Sequence, residues 1–348
     1  MENSFEAKLV DIANKSSLAL MLSVGHRTRI FDVMADLPPS TSEEIATKAK
    51  LNERYVREWL GAMVTGKIID YDSEKSLYNL EPKNAAMLTR NSESYNFAAH
   101  AQWVPVLAQV ENEIVNCFKN GGGVPYSSYE RFHEVMAEES DQTTVRGLID
   151  EILPIVPNIK SELENGISVL EVGCGSGRAL NIAAKHYPKS HFIGYDISEE
   201  AVKRAQSDSD KSNLSNVNFE TKDLVNLQDL EKFDLILAFD VIHDQARPEK
   251  VLENIFNALK PDGVFLMQDI VGSSHLHKNL DLPMGPFLYT ISCLHCMTVS
   301  LANNGAGLGA MWGKEKAIQM LNDAGFTDVE VNELPHDPIN YYYIVRKN

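Results

Sequence analysis

The sequence predicts an α/β protein: a mostly parallel sheet with helices on both faces, preceded by a smaller, mainly helical unit. Three observations carry that expectation. From Ile167 onward, short apolar runs alternate with helix-period segments, as in strands joined by helical crossovers. Glycines at Gly173, Gly175 and Gly177 follow directly on the first of those runs. Ahead of residue 95, three helix-period stretches lead into two short β-prone runs around a polar turn. A chain of 348 residues, 44% hydrophobic and 23% charged, has room for two ordinary soluble domains.

The front unit, residues 1–95, is justified element by element. Leu9, Ile12, Ala13 and Leu20 fall on one face of a first helix. After Pro38-Pro39, Ser42 followed by Glu43 and Glu44 starts a second, with Ile45, Ala46 and Ala49 inward. Asn52 caps a third that carries Val56, Trp59, Leu60 and Met63. The runs Gly66–Tyr71 and Ser76–Leu80 then form a hairpin. Helix-turn-helix plus hairpin is a winged-helix-like unit. Its charge speaks against nucleic acid: residues 1–95 hold 12 Lys and Arg against 14 Asp and Glu, and Arg54 and Arg57 alternate with Glu53 and Glu58. The whole chain carries a formal charge of −17, which repels a phosphate backbone. The first helix offers more apolar positions than a small unit buries, so a homodimer built on this segment is expected.

Residues 96–160 read as a helical linker or lid, broken at Gly121-Gly122-Gly123-Val124-Pro125-Tyr126. Residues 161–348 hold the sheet. Its seven strand candidates are Ser168–Val172, His191–Asp196, Val217–Thr221, Asp234–Phe239, Val264–Asp269, Asp328–Asn332 and Asn340–Val345, with a helix Lys314–Ala324 before the last two.

The segment Ser168-Val169-Leu170-Glu171-Val172-Gly173-Cys174-Gly175-Ser176-Gly177 runs a buried strand into a glycine turn and on into a helix. Glycines let the backbone turn sharply and approach a ligand closely. Asp196 ends the second strand, where a carboxylate either accepts two ribose hydroxyls or caps the next helix. Asp223-Leu224 follows the third, as an adenine-side acid or as a solvated loop acid. Leu259-Lys260-Pro261-Asp262-Gly263 then makes a turn into the fifth. In this order the features resemble the class I, Rossmann-like S-adenosylmethionine-dependent methyltransferases. The resemblance implies S-adenosyl-L-methionine as cofactor, a seven-stranded sheet, and an antiparallel last strand. It implies cofactor contacts at Glu171, Gly173, Gly175, Gly177, Asp196, Ile197, Asp223 and Leu224. With the front unit, it extends to small-molecule methyltransferases in which that unit makes the dimer. Gly121–Tyr126, Phe132–Glu138 and Val241-Ile242-His243-Asp244-Gln245 further resemble a two-domain group of bacteria and some animals.

Ligands of open parallel sheets lie beyond the carboxyl ends of the strands, so Asp240, His243 and Asp244 should sit near the transferred methyl group. His243 is the candidate general base, oriented by Asp244 or Asp240; it equally suits a pocket wall or a helix cap. Tyr126 either lies over the sulfonium, as an aromatic face attracts a cation, or packs in the core. Phe132, His133 and Met136 suit packing. The apolar stretches Leu282–Phe287 and Met297–Trp312 are expected to line the acceptor pocket. Cys293-Leu294-His295-Cys296 has metal or redox spacing but no second pair, so it reads as a packed helix turn, and no metal is expected.

Two other functions compete. A NAD(P)-dependent oxidoreductase uses a similar glycine turn, but Asp223 and the terminal Tyr-Tyr-Tyr-Ile-Val strand disfavour it. A winged-helix regulator lacks its basic footprint. The opening residues carry Glu2, Glu6 and Asp11, no secretory pattern is expected there, and no apolar run suggests a membrane span. Four cysteines favour a cytoplasmic setting. The expected partner is a small-molecule methyl acceptor: thiol, phenol, amine or carboxylate.

Overall fold

The computed structural model describes residues 4–91 and 93–348; Glu2 lies outside the described residues. The chain forms two compact units, Met1–Ala108 and Gln109–Asn348. The segment 96–160 is therefore divided between them. Its first helices join the front unit and the rest joins the sheet.

In the front unit, α1 (Phe5–Thr28), α2 (Ile30–Ala35), α3 (Ser42–Ala49) and α4 (Glu53–Thr65) are followed by the antiparallel hairpin β1 (Asp70–Asp72) and β2 (Leu77–Asn79). α3 starts at Ser42, as expected, and Thr41 caps it. The Thr41 hydroxyl accepts from the Glu44 amide while the Glu44 carboxylate accepts from the Thr41 amide, a reciprocal box that the neighbouring Ser42 cannot form. Asn52 caps α4 as expected, and that helix buries Val56, Trp59, Leu60 and Met63. These pack with Ile30, Phe31, Met34 and Ile45 into one core.

The second unit holds seven strands: β3 (Ser168–Val172), β4 (His191–Asp196), β5 (Val217–Thr221), β6 (Phe233–Phe239), β7 (Leu259–Ile270), β8 (Thr327–Leu334) and β9 (Asp337–Arg346). They lie in the order β5-β4-β3-β6-β7-β9-β8. The first five run parallel and β9 runs antiparallel to both its neighbours. The expected Pro-Asp-Gly turn is instead a bulge at the start of β7. Phe233 pairs with Leu259 and Leu235 already with Val264, and Asp262 takes up the irregularity at φ +64°.

Alternation sorts the strand residues between two cores. On β3, Val169 faces the first, with Leu180, Ala183 and Ala205; Leu170 and Val172 face the second, with Val251, Ile255 and Leu321. Each fully buried Leu or Ile here contributes about 1.5–3 kcal/mol. Parity also places the polar ends. Glu171 shares the face of Val169, and on β7 Asp269 shares the face of Phe265 and Met267. One helical stretch, Gly285–Ala302, is long and apolar enough to cross a membrane by length and composition, although 44% of it is buried in this unit.

Candidate active site

The glycine turn joins β3 to the helix Arg178–His186. Gly173 has φ +66°, and a Cβ there would stand 2.3 Å from Val241 Cγ2. Only glycine brings the two loops this close. At Gly175, φ is +50° and a Cβ would meet nothing within 4 Å, so this part of the turn opens onto a cavity.

Asp196 leaves the capping of the next helix to Ser198 and anchors the glycine turn instead. Its Oδ2 accepts the Gly175 amide at 2.8 Å, pinning the turn to the end of β4, and its Oδ1 accepts the Ser198 amide at 2.8 Å. Each oxygen keeps a second lone pair. Asp223 closes the single turn Leu224–Asn226, accepting from the Val225 amide and the Asn226 side chain at 3.0 Å each. Asp196, Ile197, Asp223 and Leu224 line one cavity with Gly173. A second cavity, which Gly173 also lines, is bordered by Glu171, Gly175, Asp240, His133 and Met136.

Glu171 is buried and its Oε2 has no hydrogen-bond partner. Burial, with Asp196 nearby adding to it, holds its carboxyl well above the usual range. A cationic group entering the cavity would relieve that cost. S-adenosylmethionine brings an ammonium, a sulfonium and a ribose diol, and the residues present fit all three: Glu171 and Asp240 toward cationic groups, Asp196 toward the diol, and the open Gly175 backbone between them.

Beyond β6 the geometry departs from the expected arrangement. His243 is buried, but neither Asp244 nor Asp240 orients it. Its Nδ1 lies 2.8 Å from Oδ1 of Asp269, a fully buried residue near the end of β7. The same oxygen accepts Trp312 Nε1–H at 2.9 Å and the Ile270 amide at 2.8 Å. The reason is register: β6 and β7 are neighbours, and the residue near the end of the adjoining strand reaches the imidazole. Burial opposes the imidazolium, but the Asp269 carboxylate outweighs it and holds His243 well above its ordinary value. The Cys296 thiol also stands within hydrogen-bonding reach of the imidazole.

Asp244 instead accepts the Tyr126 hydroxyl at 3.1 Å; burial, partly offset by the positive His243, pushes its carboxyl up to about 6. The Tyr126 ring belongs to an aromatic cluster, edge-on to Phe132 and His295 and parallel to His133. Asp240 sits at φ +54°, and burial with Asp269 beside it keeps its carboxyl well above the usual range.

The late insertion closes this end. The Gly309 amide donates to the His243 carbonyl at 3.1 Å, and Ser300 Oγ–H to the Gln245 carbonyl at 2.8 Å. Ser292–Cys296 is a π turn inside the apolar helix, a frequent device at functional sites. Its thiols have separate surroundings: Cys296 is buried by His243, and Cys293 lines a surface groove with Cys117. Sequence reasoning gave no role to Asp269 or Gln268 and read Trp312 only as the end of a pocket-lining stretch. No local motif marks them; only the Asp at a strand's carboxyl end was a usable signal.

The fold and this site define the class I S-adenosylmethionine-dependent methyltransferases. Residues 163–325 match the methyltransferase domain family and residues 16–90 the Rv2258c-like winged HTH domain. The chain therefore carries a winged helix-turn-helix domain followed by a methyltransferase domain. It is similar to the malonyl-[acyl-carrier protein] O-methyltransferase of Bacillus cereus, 30% identical over 147 residues that cover 42% of this chain and 49% of the relative. The chain thus spans about half the length of the curated relatives it matches. Its fold is that of human N-acetylserotonin methyltransferase, solved with S-adenosylmethionine (TM-score 0.73, 18% identity, 99% of both chains). The mitomycin 7-O-methyltransferase MmcR shares it too (TM-score 0.71, 16% identity, 98% of this chain and 97% of that one).

Proposed function

We propose that this protein transfers the methyl group of S-adenosylmethionine to a small-molecule nucleophile, a small thiol ahead of a phenol, amine or carboxylate. The supporting observation is the partnerless, buried Glu171 carboxylate beside the open Gly175 turn, a cavity shaped for a cation on a close-packed backbone. When bound, the cofactor supplies a methyl group made electrophilic by its sulfonium. The chain's own part is to hold both reactants in line and exclude water. The preference for a thiol rests on His243. Asp269 orients the imidazole through Nδ1, and the Cys296 thiol within reach of the ring competes with an acceptor for it. A thiol can enter as thiolate and needs no base. The Bacillus relative named for O-methylation keeps oxygen acceptors as the competing outcome.

Calorimetry tests the cofactor. S-adenosylmethionine and S-adenosylhomocysteine should bind at micromolar levels, and Asp196→Ala should weaken both by roughly 1.5–3 kcal/mol, about 10- to 150-fold. Absent binding, or tight NAD binding instead, would overturn the reading. Labelled cofactor offered with a small-molecule extract would then identify the acceptor.

The same reading includes a cytoplasmic homodimer that engages neither nucleic acid nor membrane. The support is α1, which leaves Phe5, Leu9, Ile12 and Leu20 at 73%, 51%, 50% and 44% exposure. Light scattering should give about twice the 38.8 kDa of one chain. A monomer at micromolar concentration contradicts the dimer, and duplex DNA binding with a steep salt dependence would restore the regulator.

A further inference from the structure

Gln268 is a fully buried amide that follows the apolar run Val264-Phe265-Leu266-Met267 on β7. Alternation puts it on the face of Leu266, which is also the face of Val169 and Glu171 on β3. It therefore belongs to the side of the sheet that carries the Glu171 cavity, opposite to Asp269. Both ends of the amide are engaged. Oε1 accepts the Thr144 hydroxyl at 2.9 Å, and Nε2 donates to Asp240 Oδ2 at 3.2 Å and to Asp337 Oδ2 at 3.4 Å. The main chain repeats the tie: the Asp240 amide donates to the Gln268 carbonyl at 3.1 Å.

Only one orientation of this amide satisfies its neighbours. Turned over, it would set Oε1 between two carboxylates and leave both without a donor. Asp337 cannot move aside, because the same oxygen also takes the Tyr342 hydroxyl at 2.7 Å and Asn340 Nδ2–H at 2.9 Å. Asp240, in turn, sits in left-handed backbone at φ +54°, borders the cavity that Glu171 and Gly175 line, and leaves Oδ1 partnerless. A strained residue held by the neighbouring strand, with one oxygen tied and the other open, is a carboxylate set toward a ligand. Thr144 borders the same cavity, on the π turn Asp141–Val145, so the cavity wall and the carboxylate are joined through Gln268.

We propose that Gln268, its amide oriented by Thr144 and Asp337, is the positioning residue that holds Asp240 for the cationic end of S-adenosylmethionine. This rests on the reading of the Glu171 cavity as the cofactor site. By donating to Oδ2 the amide favours the ionised carboxylate and leaves Oδ1 to the ligand. The surroundings of Asp240 oppose that charge. Burial, and after it Asp269, hold its carboxyl well above the usual range; the positive His243 acts the other way, and Asp337 and Asp244 add to the rise. A cation binds the ionised form, so affinity is full above the carboxyl's pKa and falls away below it. Removing the Gln268 donor favours the protonated form and moves that fall to higher pH. Glu171 titrates in the same cavity in wild type and variant alike, so the ratio of their affinities isolates Asp240.

The test is calorimetry on the full-length protein with S-adenosylmethionine and S-adenosylhomocysteine, from about pH 6 to about pH 9, with no acceptor present. Gln268→Met keeps the volume and removes the donor. It should weaken S-adenosylmethionine at least about tenfold near neutral pH, and the deficit should shrink as pH rises. Thr144→Val frees the amide to turn over and should show the same pH-dependent deficit at smaller size, while Thr144→Ser, which keeps the hydroxyl, should restore the wild-type profile. If circular dichroism shows that Gln268→Met does not fold, the two Thr144 variants decide. A variant-to-wild-type ratio near one, or a deficit equal at every pH, overturns the proposal, since lost packing alone does not follow pH. A wild type that binds neither ligand overturns the cofactor reading and the proposal with it. The wild-type titration thus tests that reading, and the ratio tests Gln268.

Discussion

The glycine-turn side and the His243 side of the site are built on different plans. The cofactor end is built on backbone: the Gly173–Gly177 turn, Asp196 on the Gly175 and Ser198 amides, Asp223 on its own following turn. The proposed acceptor end is side chain on side chain: His243 on Asp269, Trp312 on the same oxygen, Tyr126 on Asp244. A turn that must sit against a nucleotide-like ligand is fixed by a local conformation. A site that selects an acceptor is assembled from whatever the neighbouring strand ends and insertions present. The first plan suits a constant cofactor and the second a variable acceptor.

The largest effect expected from this contrast is at Gly173. Gly173→Ala forces a Cβ into Val241 at a positive φ, so cofactor affinity should fall by about 100-fold or more while the circular dichroism spectrum is kept. Near-normal calorimetric affinity would show that the turn is softer than its packing implies.

The next sharpens the acceptor end. With a phenol, His243→Ala should lower turnover by about 100-fold, the usual contribution of a base. With a small thiol the loss should stay under roughly tenfold, and the rate should follow the thiol's own ionisation. A large loss with a thiol that is already ionised would mean that His243 acts otherwise than as a base.

The smallest effect concerns stability. His295 stacks on Phe132 at 3.8 Å between ring centroids, and burial, with the positive charge of His243 and then His133, pushes its pKa down to about 3. The unfolded chain binds this proton near 6.5, so the folded state loses stability as pH falls below 6.5, by about 2 kcal/mol at pH 5. His295→Phe keeps the stack and should remove that share. The difference in urea stability between variant and wild type should grow from pH 7 to pH 5, and a constant difference would rule the linkage out.

Most of the cofactor end was legible in the sequence because its constraints are local. A strand, three glycines and an acid at a strand end occur in a fixed order, and β3, β4 and β5 run over the residues expected of them. The α4 cap at Asn52 and its buried face were equally readable from period and capping chemistry. The tertiary structure alone decided what crosses between strands. It chose Asp269 over Asp240 and Asp244 as the partner of His243, turned Tyr126 onto Asp244, and set two carboxylates, each with one partnerless oxygen, side by side. Period and propensity constrain neighbours along the chain, whereas these contacts depend on strand order and register, which bring together residues whose spacing carries no signal.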